Sequence, residues 1–191
     1  MPISTVTRTW LAFAALGTGM IHLALILNAP FGVALILGVV GAGELSWAVL
    51  TLIRERIAAP RLVICGAALP VLFFGVLAVV GTAIGVPEIA ASLGTTALGL
   101  AALLELFVAV TVAVGLRRGR DFAAPSLTHA AGRYLLGLTV GGMIVGALTT
   151  PALAATEAGR FAQPHGQHSD SFQPAGDPDA PAVRPPAHGG H

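Results

Sequence analysis

Residues 10–53, WLAFAALGTGMIHLALILNAPFGVALILGVVGAGELSWAVLTLI, decide the fold. They form two apolar runs joined by the short turn Asn28-Ala29-Pro30, with one ionisable side chain in each run, His22 and Glu44. A helix crosses the hydrocarbon of a bilayer with roughly 20 apolar residues, and each run is of that order. The remainder of the chain repeats the design. Residues 10–27, 31–53, 62–84, 93–116 and 134–154 all qualify as spans, so the expected fold is all-α, an integral membrane bundle of five transmembrane helices. Continuous apolarity, as opposed to alternation, excludes a transmembrane barrel, and inside lipid only a helix of this length satisfies its own backbone groups.

Composition points the same way. Of 191 residues, 55% are hydrophobic and 10% charged, and the mean hydropathy is +0.83. A chain of this kind lacks the polar surface a water-soluble domain needs, so its expected surroundings are the lipid bilayer. The formal net charge is +1 and no basic cluster is interleaved with aromatics, which argues against a nucleic-acid partner. The single cysteine, Cys65, lies in an apolar span and reads as a small buried hydrophobe, with no disulfide framework and no cysteine-based zinc site. All ten basic residues are arginine and glycine is abundant, a habit of high-GC bacterial genomes. The first apolar run exceeds the 7–15 or so residues of a secretory signal core, so it is expected to be retained.

Arginine placement sets the expected orientation. The connection after the second span carries Arg54, Arg56 and Arg61, and the one after the fourth carries Arg117, Arg118, Arg120 and Arg133, whereas residues 28–30 and 85–91 carry none. Positive connections belong in the cytoplasm. The N-terminus with Arg8 is therefore expected inside a bacterial plasma membrane and the tail outside. Ala152-Leu153-Ala154 resembles a processing site, but it closes a long internal span, which argues for an attached tail. Residues 1–155 are then the transmembrane domain and residues 156–191 an extracytoplasmic tail rich in Pro, Gly, Asp and His. That tail has too few large apolar side chains to offset the entropy of ordering and is expected to be disordered.

Lipid-embedded helices associate through close packing of small residues. Inward faces are expected along Ala15, Thr18, Gly19 and His22 of the first span, along Ala97, Ala101, Glu105 and Ala109 of the fourth, and along Gly137, Gly141, Gly142 and Gly146 of the fifth. The same faces suit a membrane-protein partner or a second copy of the chain. Pro70 is expected to kink the third span. Trp10 and Tyr134 stand where interfacial aromatic belts belong.

Chemistry is concentrated in two places. His22, Glu44 and Glu105 are ionisable groups within apolar spans. At about 1.5 Å per residue, His22 lies roughly 5 Å to the outer side of the membrane centre, Glu44 roughly 3 Å to the inner side and Glu105 near the centre. A charge at such depth costs about 3 kcal/mol on insertion scales, so these groups are expected to face the interior and pair with one another, as a proton relay or a cation site. Neutral glutamates that bridge helices by hydrogen bonds are the structural alternative. The second place is the tail, where His165 and His168 precede Asp170 and His188 precedes His191. Imidazole-rich tracts gather divalent transition metals such as Cu, Zn or Ni, and a solvated exit from the membrane is the alternative. His129 reads as a solvated loop residue. No Walker loop, dinucleotide fingerprint, H-E-x-x-H or G-x-S-x-G elbow occurs, so no enzymatic activity is expected.

The segments Gly19-Met20-Ile21-His22-Leu23-Ala24 and Gly43-Glu44-Leu45-Ser46-Trp47-Ala48 resemble a group of uncharacterised small multispanning membrane proteins of high-GC Gram-positive bacteria. The likeness implies the membrane class and no particular activity. In that group an acidic, His-containing turn follows the first span; Asn28-Ala29-Pro30-Phe31 stands in its place here, so a second histidine ligand is missing. The expected function is a small permease or accessory protein handling divalent metal ions or protons. The alternative is a non-enzymatic assembly or scaffold subunit of a membrane complex.

Overall fold

A computed structural model describes residues 3–85, 95–122 and 131–161. The expected tail ligands His165, His168, Asp170, His188 and His191, and the loop residue His129, lie outside the described residues. Within them the chain is all-α, with no strand. Helices α1 (Thr5–Leu25), α2 (Phe31–Arg54), α3 (Pro60–Ala83), α4 (Thr95–Arg117) and α5 (Ala131–Ala154) each contain a segment long and apolar enough to cross a membrane. A short 3-10 turn (Ile26–Asn28) links α1 to α2, and a one-turn helix α6 (Glu157–Arg160) follows α5.

Helix ends follow local chemistry. α1 begins at Thr5, ahead of the expected Trp10, because the Ser4 hydroxyl accepts from the Thr7 amide at 3.1 Å and satisfies an otherwise unpaired donor. α3 opens on Pro60, whose missing N–H is harmless in a first turn, and it runs on through Pro70 to Ala83. α4 ends in a Schellman-type reversal. Gly119 takes φ +61, its amide donates to Leu116 O at 3.0 Å, and the Arg120 amide donates to Gly115 O at 3.0 Å. The ring of Phe122 then folds back over Gly115, where a methyl group would lie 2.6 Å from Phe122 Cζ.

α1 is the hub, packing on α2, α4 and α5, while α3 packs on α4. Of its most apolar 18 residues 56% are buried, against 33% in α4 and 17% in α2, α3 and α5. The outer helices present Leu35, Val39, Leu62, Leu72, Val76 and Met143 to the surroundings, a surface suited to lipid tails and not to water.

Two expected faces are borne out. Ala15, Thr18, Gly19 and His22 of α1 are buried, as are Ala97, Ala101 and Glu105 of α4, with Ala109 partly so. The glycine stripe of α5 divides. Gly137 and Gly141 pack under Val6 and Trp10 of α1, and Trp10 Nε1 donates to Gly137 O at 2.7 Å, whereas Gly142 and Gly146 are exposed. Cys65 corrects an expectation: it lies on the exposed face of α3 and not in the core.

The segments that carry arginine meet at one end of the bundle. Arg8, 5% exposed, donates from Nη1 to Glu55 O at 2.6 Å. The Ile3 amide donates to Asp121 O at 3.2 Å and the Ile57 amide to Phe122 O at 3.1 Å. These bonds tie the N-terminus, the α2–α3 connection and the segment after α4 together.

Candidate functional site

The site begins with a close approach of two backbones. α1 and α2 run antiparallel because only residues 26–30 separate them. They cross at Gly19 and Gly41. A Cβ on Gly19 would lie 2.9 Å from Gly41 O, and one on Gly41 would lie 2.9 Å from Gly19 O, so only glycine permits this spacing. His22 and Glu44 each stand one turn C-terminal to their glycine, and therefore on opposite sides of the crossing. Cα–Cβ bonds tilt toward a helix's own N-terminus, so in an antiparallel pair both side chains lean back to the crossing point. The rise per residue places the two residues roughly 8 Å apart in depth, and this convergence closes the gap. His22 Nδ1 lies 2.8 Å from Glu44 Oε2.

With Glu44 as a carboxylate, which only accepts, Nδ1 is the donor of that bond, and in a neutral imidazole Nε2 is then an acceptor. The small-residue stripe of α4 brings Glu105 to that nitrogen, with Nε2 3.8 Å from Glu105 Oε1. His22 is 1% exposed and Glu105 2%, while the Glu44 side chain is 14% exposed. One ligating atom from each of the three lies within 4.8 Å of the others. The expected meeting of His22, Glu44 and Glu105 is thus present, with the imidazole in contact with both carboxyl groups. Phe74 of α3 sits beside the ring, with centroids 6.2 Å apart.

The two halves of the cluster are not equivalent. Glu44 is paired. At 3.8 Å Glu105 Oε1 is beyond hydrogen-bond range of the imidazole and has no hydrogen-bond partner among the described residues, although the Glu105 carboxyl group also interacts directly with that of Glu44. A proton shuttling between Glu105 and Nε2, or a cation seated between them, would complete that half. In the second case Glu44 would orient the ligating imidazole from behind, the usual role of a carboxylate hydrogen-bonded to a metal-bound histidine.

The sequence did not reveal two neighbours of this cluster, Gly41 and Phe74. Gly41 carries a faint signal, a small residue one turn before Glu44. Trp47, three residues after Glu44 and expected on a neighbouring face, has a buried Nε1 with no acceptor among the described residues. The described fold and site define an integral membrane helical bundle with a buried Glu–His–Glu cluster. No family profile, curated protein or solved structure matches this chain.

Proposed function

We propose that the protein is a small proton-handling permease or accessory protein of the bacterial plasma membrane, with Glu44, His22 and Glu105 as its proton-exchange site. The observation that carries this reading is Glu105 Oε1, without a hydrogen-bond partner among the described residues and held 3.8 Å from Nε2 of an imidazole whose other nitrogen is bonded to Glu44. Glu44 sets the tautomer, and Nε2 accepts the proton that Glu105 delivers. A buried polar group without a partner is costly, so its retention beside a proton acceptor favours a role in exchange over one in bracing. The arginine-bearing end faces the cytoplasm and the tail the exterior, as the positive-inside rule requires.

The test is proton flux into proteoliposomes loaded with a pH-sensitive dye. Glu105→Gln is expected to lower the flux at least roughly tenfold, as loss of an acid–base group does, and flux equal to wild type overturns the reading. A divalent metal at the same cluster is the second reading, favoured by three ligand atoms within 4.8 Å of one another. In that reading the tail histidines gather the ion. Elemental analysis of purified full-length protein, beside Glu105→Gln and a variant with His165, His168, His188 and His191 changed to alanine, separates metal held by the core from metal held by the tail. The scaffold alternative has less to stand on, because Gly19, Gly41, Gly137 and Gly141 are used in contacts within the chain.

A further inference from the structure

α2 and α3 are consecutive, yet they make almost no contact with each other; α3 turns instead to α4. The gap between them is a cleft of about 550 Å³. Val39 of α2 and Leu62 and Leu69 of α3 line it and are strongly exposed, so it opens sideways to the hydrocarbon of the bilayer. Only four of its lining residues, Thr18, Glu44, Trp47 and Glu105, have polar side chains. Thr18 and Glu105 are buried, as is Nε1 of Trp47, and the Glu44 side chain is 14% exposed. The walls that an occupant meets are therefore mostly hydrocarbon. On α3 they run from Ala59 to Phe74, about 22 Å at about 1.5 Å per residue, which exceeds the roughly 15 Å of hydrocarbon in one leaflet. An acyl chain entering from one membrane surface fits that length.

What stands at the head of such a chain follows from the α2–α3 connection, where the cleft adjoins a second hollow. Ala58 and Ala59 line both. The second hollow, of about 400 Å³, is also lined by the buried Ile57 and Phe122 and by Arg56, Arg120 and Asp121. Both arginines are exposed, and among the described residues neither side chain makes a hydrogen bond or an ion pair. Arg54, Arg61, Arg117 and Arg118 stand at the same end of the bundle, against the acids Glu55 and Asp121, so the hollow lies in a positive field. Guanidinium groups match the oxygens of a phosphate, and basic pockets between membrane helices take anionic headgroups. We propose that an anionic phospholipid is seated at the α2–α3 gap, with an acyl chain in the cleft and its phosphate at Arg56 and Arg120. A zwitterionic lipid carries its own cation beside the phosphate and gains less from that field. The inference does not rest on the proton-exchange reading.

Head and tail are tested separately. Full-length protein, delipidated in mild detergent, is incubated with phosphatidylglycerol, with phosphatidylcholine of the same acyl chains, or with glycerol 3-phosphate, and bound ligand is read by native mass spectrometry. Phosphatidylglycerol is expected to be retained at least roughly tenfold over phosphatidylcholine, since each arginine near an anionic headgroup is worth about fivefold, and glycerol 3-phosphate is expected to be lost. The double variant Arg56→Gln, Arg120→Gln should abolish the preference. Arg117→Gln with Arg118→Gln removes the same charge from the same end but outside the hollow, and should keep it. Gly66 lines the cleft and Gly75 does not, and a Cβ on either would meet nothing within 4 Å. Gly66→Leu should therefore lower retention of both lipids and Gly75→Leu should leave it unchanged, each with wild-type unfolding, because both positions are exposed. Four results each overturn the proposal: equal retention of the two lipids, a preference that the Arg56–Arg120 variant diminishes no more than the Arg117–Arg118 variant, undiminished retention in Gly66→Leu, or glycerol 3-phosphate retained as well as the whole lipid. Because the readout is binding, such a result leaves the proton-exchange reading standing, and a failed flux experiment leaves this one standing.

Discussion

α2 meets its two chain neighbours in opposite ways. Toward α1 it presents Gly41 at a backbone contact so close that a methyl group would strike the facing carbonyl; toward α3 it presents Gly43 to open space. Both interfaces lie in the same bilayer and both contain glycine. Lipid tails are as apolar as leucine, so helices gain nothing by hiding apolar area from them and associate only where their surfaces fit. At the first interface glycine faces glycine and the helices close. At the second, glycines stand among Val39, Leu62, Leu69 and Phe73, and the helices part to leave a cleft. Glycine content alone therefore does not mark a contact; the facing residue decides.

The largest expected effect breaks the tight side. Gly41→Leu forces a side chain against Gly19 O and the His22 Cβ and should cost about 3 kcal/mol, the upper part of the range for overpacking. It should also part His22 from Glu44. Gly43→Leu, two residues away, should stay within about 1 kcal/mol of wild type. Reversible unfolding in mixed micelles reads both, and equal losses would mean that the two sides of α2 are packed alike.

Next comes the ion pair at the crossing. His22→Ala removes the imidazole that hydrogen-bonds Glu44 at 2.8 Å and leaves a mostly buried carboxyl group, at a cost of about 2 kcal/mol, below the value for a fully enclosed pair because Glu44 is 14% exposed. Glu105→Gln should cost less than about 1 kcal/mol, since Oε1 has no hydrogen bond to lose among the described residues and a glutamine amide can still donate to Glu44. A structural brace predicts the reverse order. Unfolding of the two variants side by side would reveal it.

The spans were legible because each is a continuous apolar run, and the cluster was legible because a histidine or glutamate inside such a run has few places to go. What escaped has a common cause. α3 is apolar on every side, with no polar stripe to mark its inner face, so nothing in its sequence says that Cys65 points outward or that the helix leaves α2 for α4. The depth arithmetic was similarly blind to direction. It set His22 and Glu44 apart, and only the opposed tilts of an antiparallel pair bring them together. The Gly142 and Gly146 positions show the limit of pattern alone: they repeat the spacing of Gly137 and Gly141 but are exposed, with Gly142 only at the edge of the Phe13 ring and Gly146 against nothing.

α1 also docks on α5, and that contact should be weaker than the glycine crossing because it relies on a side chain that can be exchanged. Trp10→Phe keeps an aromatic ring over Gly141 and deletes the bond to Gly137 O. The expected cost is about 1 kcal/mol. A loss as large as that of Gly41→Leu, read by the same unfolding assay, would move the centre of the bundle from the α1–α2 crossing to the α1–α5 face.

The smallest effect concerns the connection that holds α2 and α3 apart. Within it, Glu55 (φ 51) and Ala59 (φ 49) both adopt the left-handed conformation, which costs a residue with a Cβ roughly 1–2 kcal/mol and costs glycine almost nothing. Ala59 is exposed, so its methyl group contributes little packing to offset that strain. Ala59→Gly should therefore stabilise the fold, though by only about 0.5 kcal/mol, because glycine also enlarges the freedom of the unfolded chain. The unfolding assay used for Gly41→Leu reads this change, and a loss of stability would mean that the Ala59 methyl group contributes more packing than its exposure suggests.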